Sequence, residues 1–127
     1  MTGVERIGVG PHLSHAAVHE GIIHLSGVVS PGRSVLEQTR NVLAGIDELL
    51  HSSGSDKSRI LSATVWLTDM RHFDQMNGAW EEWLPPGHAP ARVCIEAKLS
   101  LLDFCVAIAV TAAELTTKRE RCQTSNA

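Results

Sequence analysis

Aromatic residues are scarce in this chain of 127 residues, which has three Trp, two Phe and no Tyr. Its core must therefore be assembled from Val, Ile, Leu and Ala, residues that suit closely packed strands with helices laid across them. Cysteine is equally thin: three widely spaced residues and no CxxC pair. An odd, scattered set argues against a disulfide framework and a thiolate zinc site, and fits a reducing cytosol. Basic charge is in short supply as well. With a net charge of −3 the chain lacks the basic footprint that nucleic acid requires. No apolar run is long enough to span a membrane, and no early run resembles a signal peptide. The expected setting is soluble and cytoplasmic, without nucleic-acid or membrane partners.

Several chemical motifs are missing too. Seven histidines are present, yet none belongs to an HExxH or to a tight His/carboxylate cluster on one element, so no metal site is expected. His12 and His15 flank a strand start, and His19 and His24 straddle a turn. There is no GxSxG elbow for Ser-His-Asp hydrolysis. Gly8-Val9-Gly10-Pro11 is too short, and blocked by proline, to cradle phosphate.

What is there reads as one domain of strands and two helices. Residues 4–9 and 13–29 carry strand patterns, the second folded into a hairpin at Gly21, which is free to take positive φ. Ser26-Gly27 interrupts the strand, either as a bulge open to close approach or as a bend before Pro31-Gly32. Ser34 and Glu37 form a capping-box pattern ahead of a helix with an apolar stripe through Val35, Thr39, Val42, Ile46 and Leu49. Gly54 closes it. At residues 60–68, Leu61, Ala63, Val65 and Leu67 alternate with polar neighbours, which puts Trp66 on the polar face. Asp69 opens a second helix that ends at Pro85-Pro86, with a stripe of Phe73, Met76, Trp80 and Trp83 and with Asn77 beside it. A half-buried amide there either braces a loop or faces a site.

The proline-rich loop Pro85-Pro86-Gly87-His88-Ala89-Pro90 then delivers Arg92 onto a strand. Prolines make this approach stiff, and a guanidinium on a stiff mount suits a carboxylate. The competing reading is a strand-edge arginine with its head in water. Arg92, Cys94, Glu96 and Lys98 share one face of that strand, unusually polar for a strand expected inside the sheet, and Val93, Ile95, Ala97 and Leu99 share the other. Cys94 reads as an inert, half-buried thiol rather than a nucleophile. The last strand, Phe104 to Ala112, is apolar on both faces, as buried strands are. Residues 116–127 form a polar tail expected to be disordered or frayed. The order β-β-β-α-β-α-β-β puts both helices on one side of a sheet, and the other side needs cover. Three such sheets closing around an axis would give an oligomer with clefts between subunits.

Gly10-Pro11-His12, Leu25-Ser26-Gly27, Asn77 followed by Trp80, and above all Pro90-Ala91-Arg92-Val93-Cys94-Ile95-Glu96-Ala97-Lys98-Leu99 resemble the Rid (YjgF) family of reactive-intermediate deaminases. The resemblance spans roughly residues 7–113, within a domain taken as 1–115. It implies a chorismate-mutase-like α+β fold, a mixed sheet with two helices on one face, and a homotrimer with three intersubunit clefts. It also implies hydrolysis of amino-acid-derived enamines or imines to 2-oxo acids and ammonia, with no cofactor. Older descriptions of the family as ribonucleases find no support in an acidic chain without a basic track.

Residue by residue, the resemblance makes Arg92 the anchor of a small-molecule carboxylate substrate and lines the cleft with the main chain at Cys94. Ser26 and Gly27 contribute from the strand bulge, and Asn77 lies at the edge. His12 stands where many members carry a tyrosine lid residue. The family's water-orienting glutamate falls at Ala107, which can neither bind nor polarise water. Glu96 becomes the substitute general base if a hairpin with its loop at Ser100 to Asp103 sets it across from Ala107. Three readings follow: an imine or enamine deaminase, a trimeric protein that binds small carboxylates without hydrolysing them, and a specialised enzyme that keeps the pocket with altered chemistry.

Overall fold

The computed structural model describes residues 3–115, and the polar tail 116–127 lies outside them. Three strands open the chain, β1 (Glu5–Val9), β2 (Ser14–His19) and β3 (Ile22–Leu25). The β2–β3 link is the two-residue hairpin expected at Gly21. His19 pairs with Ile22, and Glu20 and Gly21 both take positive φ, 49° and 82°, as the tight turn that matches strand twist demands.

Helix α1 (Val35–Ser52) starts where Ser34 Oγ accepts from Glu37 N at 3.1 Å, and Gly54 follows its end at φ 89°. Strand β4 (Ile60–Leu67) leads through a single turn of 3-10 helix (Met70–His72), capped by Asp69, into α2 (Phe73–Trp83). Asp69 therefore caps this turn rather than α2 itself. Strands β5 (Ala91–Glu96) and β6 (Val106–Ala113) complete the chain.

The six strands form one mixed sheet in the order β1-β2-β3-β6-β4-β5. β4 and β5 pair in parallel through α2, and every other neighbouring pair is antiparallel. β6 is thus central, in line with its apolar pattern on both faces. β5, expected inside the sheet, is an edge strand.

Ile23, Leu43, Ile46, Leu50, Leu67, Met76 and Ile108 are fully buried between the sheet and the two helices. Burial of each such side chain stabilises the fold by about 1.5–3 kcal/mol. Gln38, also buried, ties this core to the β5–β6 connection. Its Nε2 donates to the carbonyls of Gly32 and Asp103, and its Oε1 accepts from Cys105 N at 2.8 Å.

The opposite sheet face carries Ala17, His24, Trp66, Val93, Ile95, Ala107, Ala109 and Thr111, and no element among the described residues covers it. Val93 is 55% exposed and Ile95 46%. Both are large apolar side chains on an open face.

Candidate functional site

Strand register decides where the polar face of β5 points. Arg92, Cys94 and Glu96 align with Ala63, Val65 and Leu67, all three buried against the helices. The polar side of β5 is therefore the helix side, and Val93 and Ile95 turn outward. Since β5 is the edge strand, Arg92 emerges beside α2 rather than into the core.

There α2 receives the guanidinium. Nη1 donates to Asn77 Oδ1 at 2.7 Å, and the rings of Trp80 and Phe73 lie 5.3 and 5.8 Å from the guanidinium carbon. Aromatic faces attract a cation, and an amide acceptor fixes its rotation. Among the described residues Arg92 forms no ion pair. The result is a half-buried, oriented cation whose remaining donors are free for an anion. It lines a cavity of about 410 Å³ with Asn77, Trp80, Glu81, Leu84, Ala89 and Pro90. Between the two readings of Asn77, the structure puts it on Arg92.

Cys94 lies two residues along the same side, half-buried. Burial pushes its thiol pKa up and the nearby Arg92 opposes the shift, so the thiolate that nucleophilic chemistry needs is disfavoured.

Glu96 requires a correction. No hairpin joins β5 to β6, because β4 lies between them. Glu96 aligns with Leu67, and Leu67 with Val106, whereas Ala107 aligns with Trp66 and Ile95. Neighbouring strand positions point to opposite faces. Glu96 is therefore two strands away from Ala107 and on the other side of the sheet, where its carboxylate accepts from Met70 N at 2.8 Å.

Ser26 and Gly27 gather elsewhere. Ser26 N donates to the His15 carbonyl at 3.0 Å, and the main chain of Val28 pairs with Ile108. With His15, Val29, Gly45 and Glu48 they line a second cavity of about 350 Å³. This chain itself does not demand glycine at position 27: its φ is not left-handed, and an added Cβ would meet only Trp66 Cζ3 at 3.9 Å. β3 and β5 stand three strand spacings apart, roughly 14 Å. The structure thus joins Arg92 with Asn77 and leaves Ser26-Gly27 apart. His12 sits exposed in the tight β1–β2 connection, where Gly10 N donates to the Leu13 carbonyl, and touches neither cavity.

Sequence reading missed Glu81 and Trp80 as members of the Arg92 cavity, and Phe73 as a ring against the guanidinium. The rings were legible as an apolar stripe, and Glu81 carried no signal of its own. Spacing held the one available clue: Phe73, Asn77, Trp80 and Glu81 are at i, i+4, i+7 and i+8. Among the described residues, no group of three or more His, Cys, Asp or Glu converges as metal ligands. No helix among them is long and apolar enough to cross a membrane.

A family model described as Endoribonuclease L-PSP matches residues 5–114. A RutC family protein of Haemophilus ducreyi is 43% identical over 112 residues, covering 87% of this chain and 96% of that protein. RutC family protein YoaB of Escherichia coli strain K12 is 38% identical over 111 residues, covering 87% and 97% respectively. A crystal structure of a YjgF protein family member from Neisseria meningitidis superposes with a TM-score of 0.89 at 39% identity, covering 91% of this chain and 98% of that one. Yeast Mmf1, 21% identical with a TM-score of 0.82, shares the fold.

Proposed function

The chain belongs to the YjgF/RutC family, and from that membership we propose that it hydrolyses a small imine or enamine carboxylate, anchored by Arg92 in a cleft between subunits of a homotrimer. One observation carries this reading: Arg92 is oriented by Asn77, backed by two aromatic rings and free of any ion-pair partner among the described residues. Such a group binds a carboxylate through charge-assisted, bidentate hydrogen bonds. In the reaction water adds to the C=N carbon, the C–N bond breaks, and nitrogen leaves as ammonia while the 2-oxo acid remains. An enamine enters as its imine tautomer. Holding the carboxylate fixes where the C=N carbon stands relative to water, and positioning alone lowers the barrier.

The trimer has its own support. Exposed Val93 and Ile95 on an uncovered sheet face suit burial against further copies. Assembly also gives Gly27 a use that the single chain does not, as a backbone site open to close approach by a neighbour or its ligand.

A second reading is favoured by one residue. Ala107 is buried beside Trp66 and offers no group to orient water. With Glu96 on the other side of the sheet, the protein would bind small carboxylates and leave hydrolysis undone. Ammonia release from imines generated in situ from a panel of amino acids separates the two readings. A deaminase releases ammonia and loses most of that activity in Arg92→Ala; unchanged turnover in that variant refutes the anchor. Activity absent from the native protein and gained in Ala107→Glu establishes the binding reading.

A further inference from the structure

The stripe on α2 that receives Arg92 contains one residue that this contact does not use. Phe73, Asn77 and Trp80 touch the guanidinium, while Glu81, one turn beyond Asn77, faces the same cavity. Its Oε1 accepts from Asn77 Nδ2 at 3.0 Å, and among the described residues it pairs with no lysine or arginine. An ionised carboxylate accepts several hydrogen bonds, so most of that capacity remains open. Glu81 is exposed.

Asn77 acts as a spacer between two opposite charges. Its carbonyl accepts from the cation on one side, and its amide nitrogen donates to the anion on the other. Only one orientation of the amide satisfies both. Arg92 and Glu81 are thereby kept beyond ion-pair distance, and neither neutralises the other.

We propose that Glu81 recognises the nitrogen end of the ligand, so that the site takes an α-amino or α-imino carboxylate as a zwitterion, with carboxylate toward Arg92 and N–H toward Glu81. This rests on Arg92 being the carboxylate anchor and adds the second contact. Opposite charges held apart on one cavity wall match a ligand that carries opposite charges on adjacent carbons. A 2-oxo acid of the same skeleton satisfies Arg92 alone. The site therefore grips the nitrogen-bearing ligand at two points and its 2-oxo counterpart at one, which favours release once nitrogen has gone.

Calorimetric titration with 2-aminobutanoate and 2-oxobutanoate, which share a carbon skeleton, tests this in the native protein, Glu81→Gln and Arg92→Ala. Glutamine keeps an oxygen for Asn77 and removes the charge. Glu81→Gln weakens 2-aminobutanoate binding by about tenfold or more and changes 2-oxobutanoate binding by less than about twofold, the scale of one charge-assisted hydrogen bond. Equal weakening of both ligands shows that Glu81 merely braces Asn77, and no change in either shows that it does nothing; both results overturn the proposal. Native protein that binds only the 2-oxo acid also overturns it, with the role of Arg92 intact. Undiminished binding of both ligands by Arg92→Ala, or binding of neither by the native protein, brings down the anchor itself.

Discussion

Two cavities divide four of the residues expected to form one site, Arg92 and Asn77 in one and Ser26 and Gly27 in the other, and they present different chemistry. The Arg92 cavity works through side chains: an oriented cation, an amide, a carboxylate and aromatic rings mounted on α2 and β5. The Ser26-Gly27 cavity works through exposed main chain where β3 gives way to the bridge with β6. About three strand spacings separate them. What the contrast teaches is that one chain holds Arg92-Asn77 and Ser26-Gly27 apart, and the proposed trimer is what would bring them together.

The largest way to break this comparison is to separate the copies. Ile95→Asp puts a charge on the open apolar sheet face, away from Arg92 and Asn77. We expect light scattering to show the proposed trimer dissociated, and affinity for 2-oxobutanoate to fall at least about tenfold with Arg92 and its contacts untouched. Retained affinity in a monomeric variant would make the Arg92 cavity sufficient alone. Gly27→Ala comes next. The chain has room for the methyl group, so the melting temperature should hold, while affinity falls about fivefold because the cleft loses close approach to that backbone. A lowered melting temperature with intact affinity would mark Gly27 as a purely structural bend.

Asn77→Ala sharpens the other half. One hydrogen bond orienting Arg92 is lost, a cost of about 1 kcal/mol or a roughly fivefold weaker affinity. Assembly should not change.

The smallest effect lies in acid stability. The hydrogen bond from the Arg71 side chain, together with that from its main-chain N–H, lowers the Asp69 carboxyl pKa from the usual 3.8 to about 2. Its folded-state pKa is depressed, so its contribution is present above 3.8 and lost as pH falls from there through about 2. Asp69→Asn should flatten acid unfolding in that window and leave the neutral range unaltered in slope.

Much of the fold is legible in the sequence. Gly21 between two apolar runs marked the hairpin, the Ser34 cap and apolar stripe marked α1, and the two-faced apolar pattern of β6 marked a central strand. Arg92 and Asn77 were both singled out, although neither their contact nor the rings beneath the guanidinium could be read. Periodicity reports which side chains share a face and is silent on which strand lies alongside. That is why β5 was expected inside the sheet and Glu96 across from Ala107. A short β5–β6 connection reads as a hairpin, but β6 is held between β3 and β4, and β5 pairs in parallel with β4. Glu81 stayed hidden for another reason: a charge at helical spacing looks the same whether it faces water or a cavity.

The central claim is that Arg92 holds the carboxylate of a small ligand, and a crystal structure of the protein with 2-oxobutanoate tests it most directly. The account predicts both carboxylate oxygens within hydrogen-bond distance of the Arg92 guanidinium, with Ser26-Gly27 of a second copy closing over the ligand. A carboxylate seated on another cation, with Arg92 still turned only to Asn77, would contradict it.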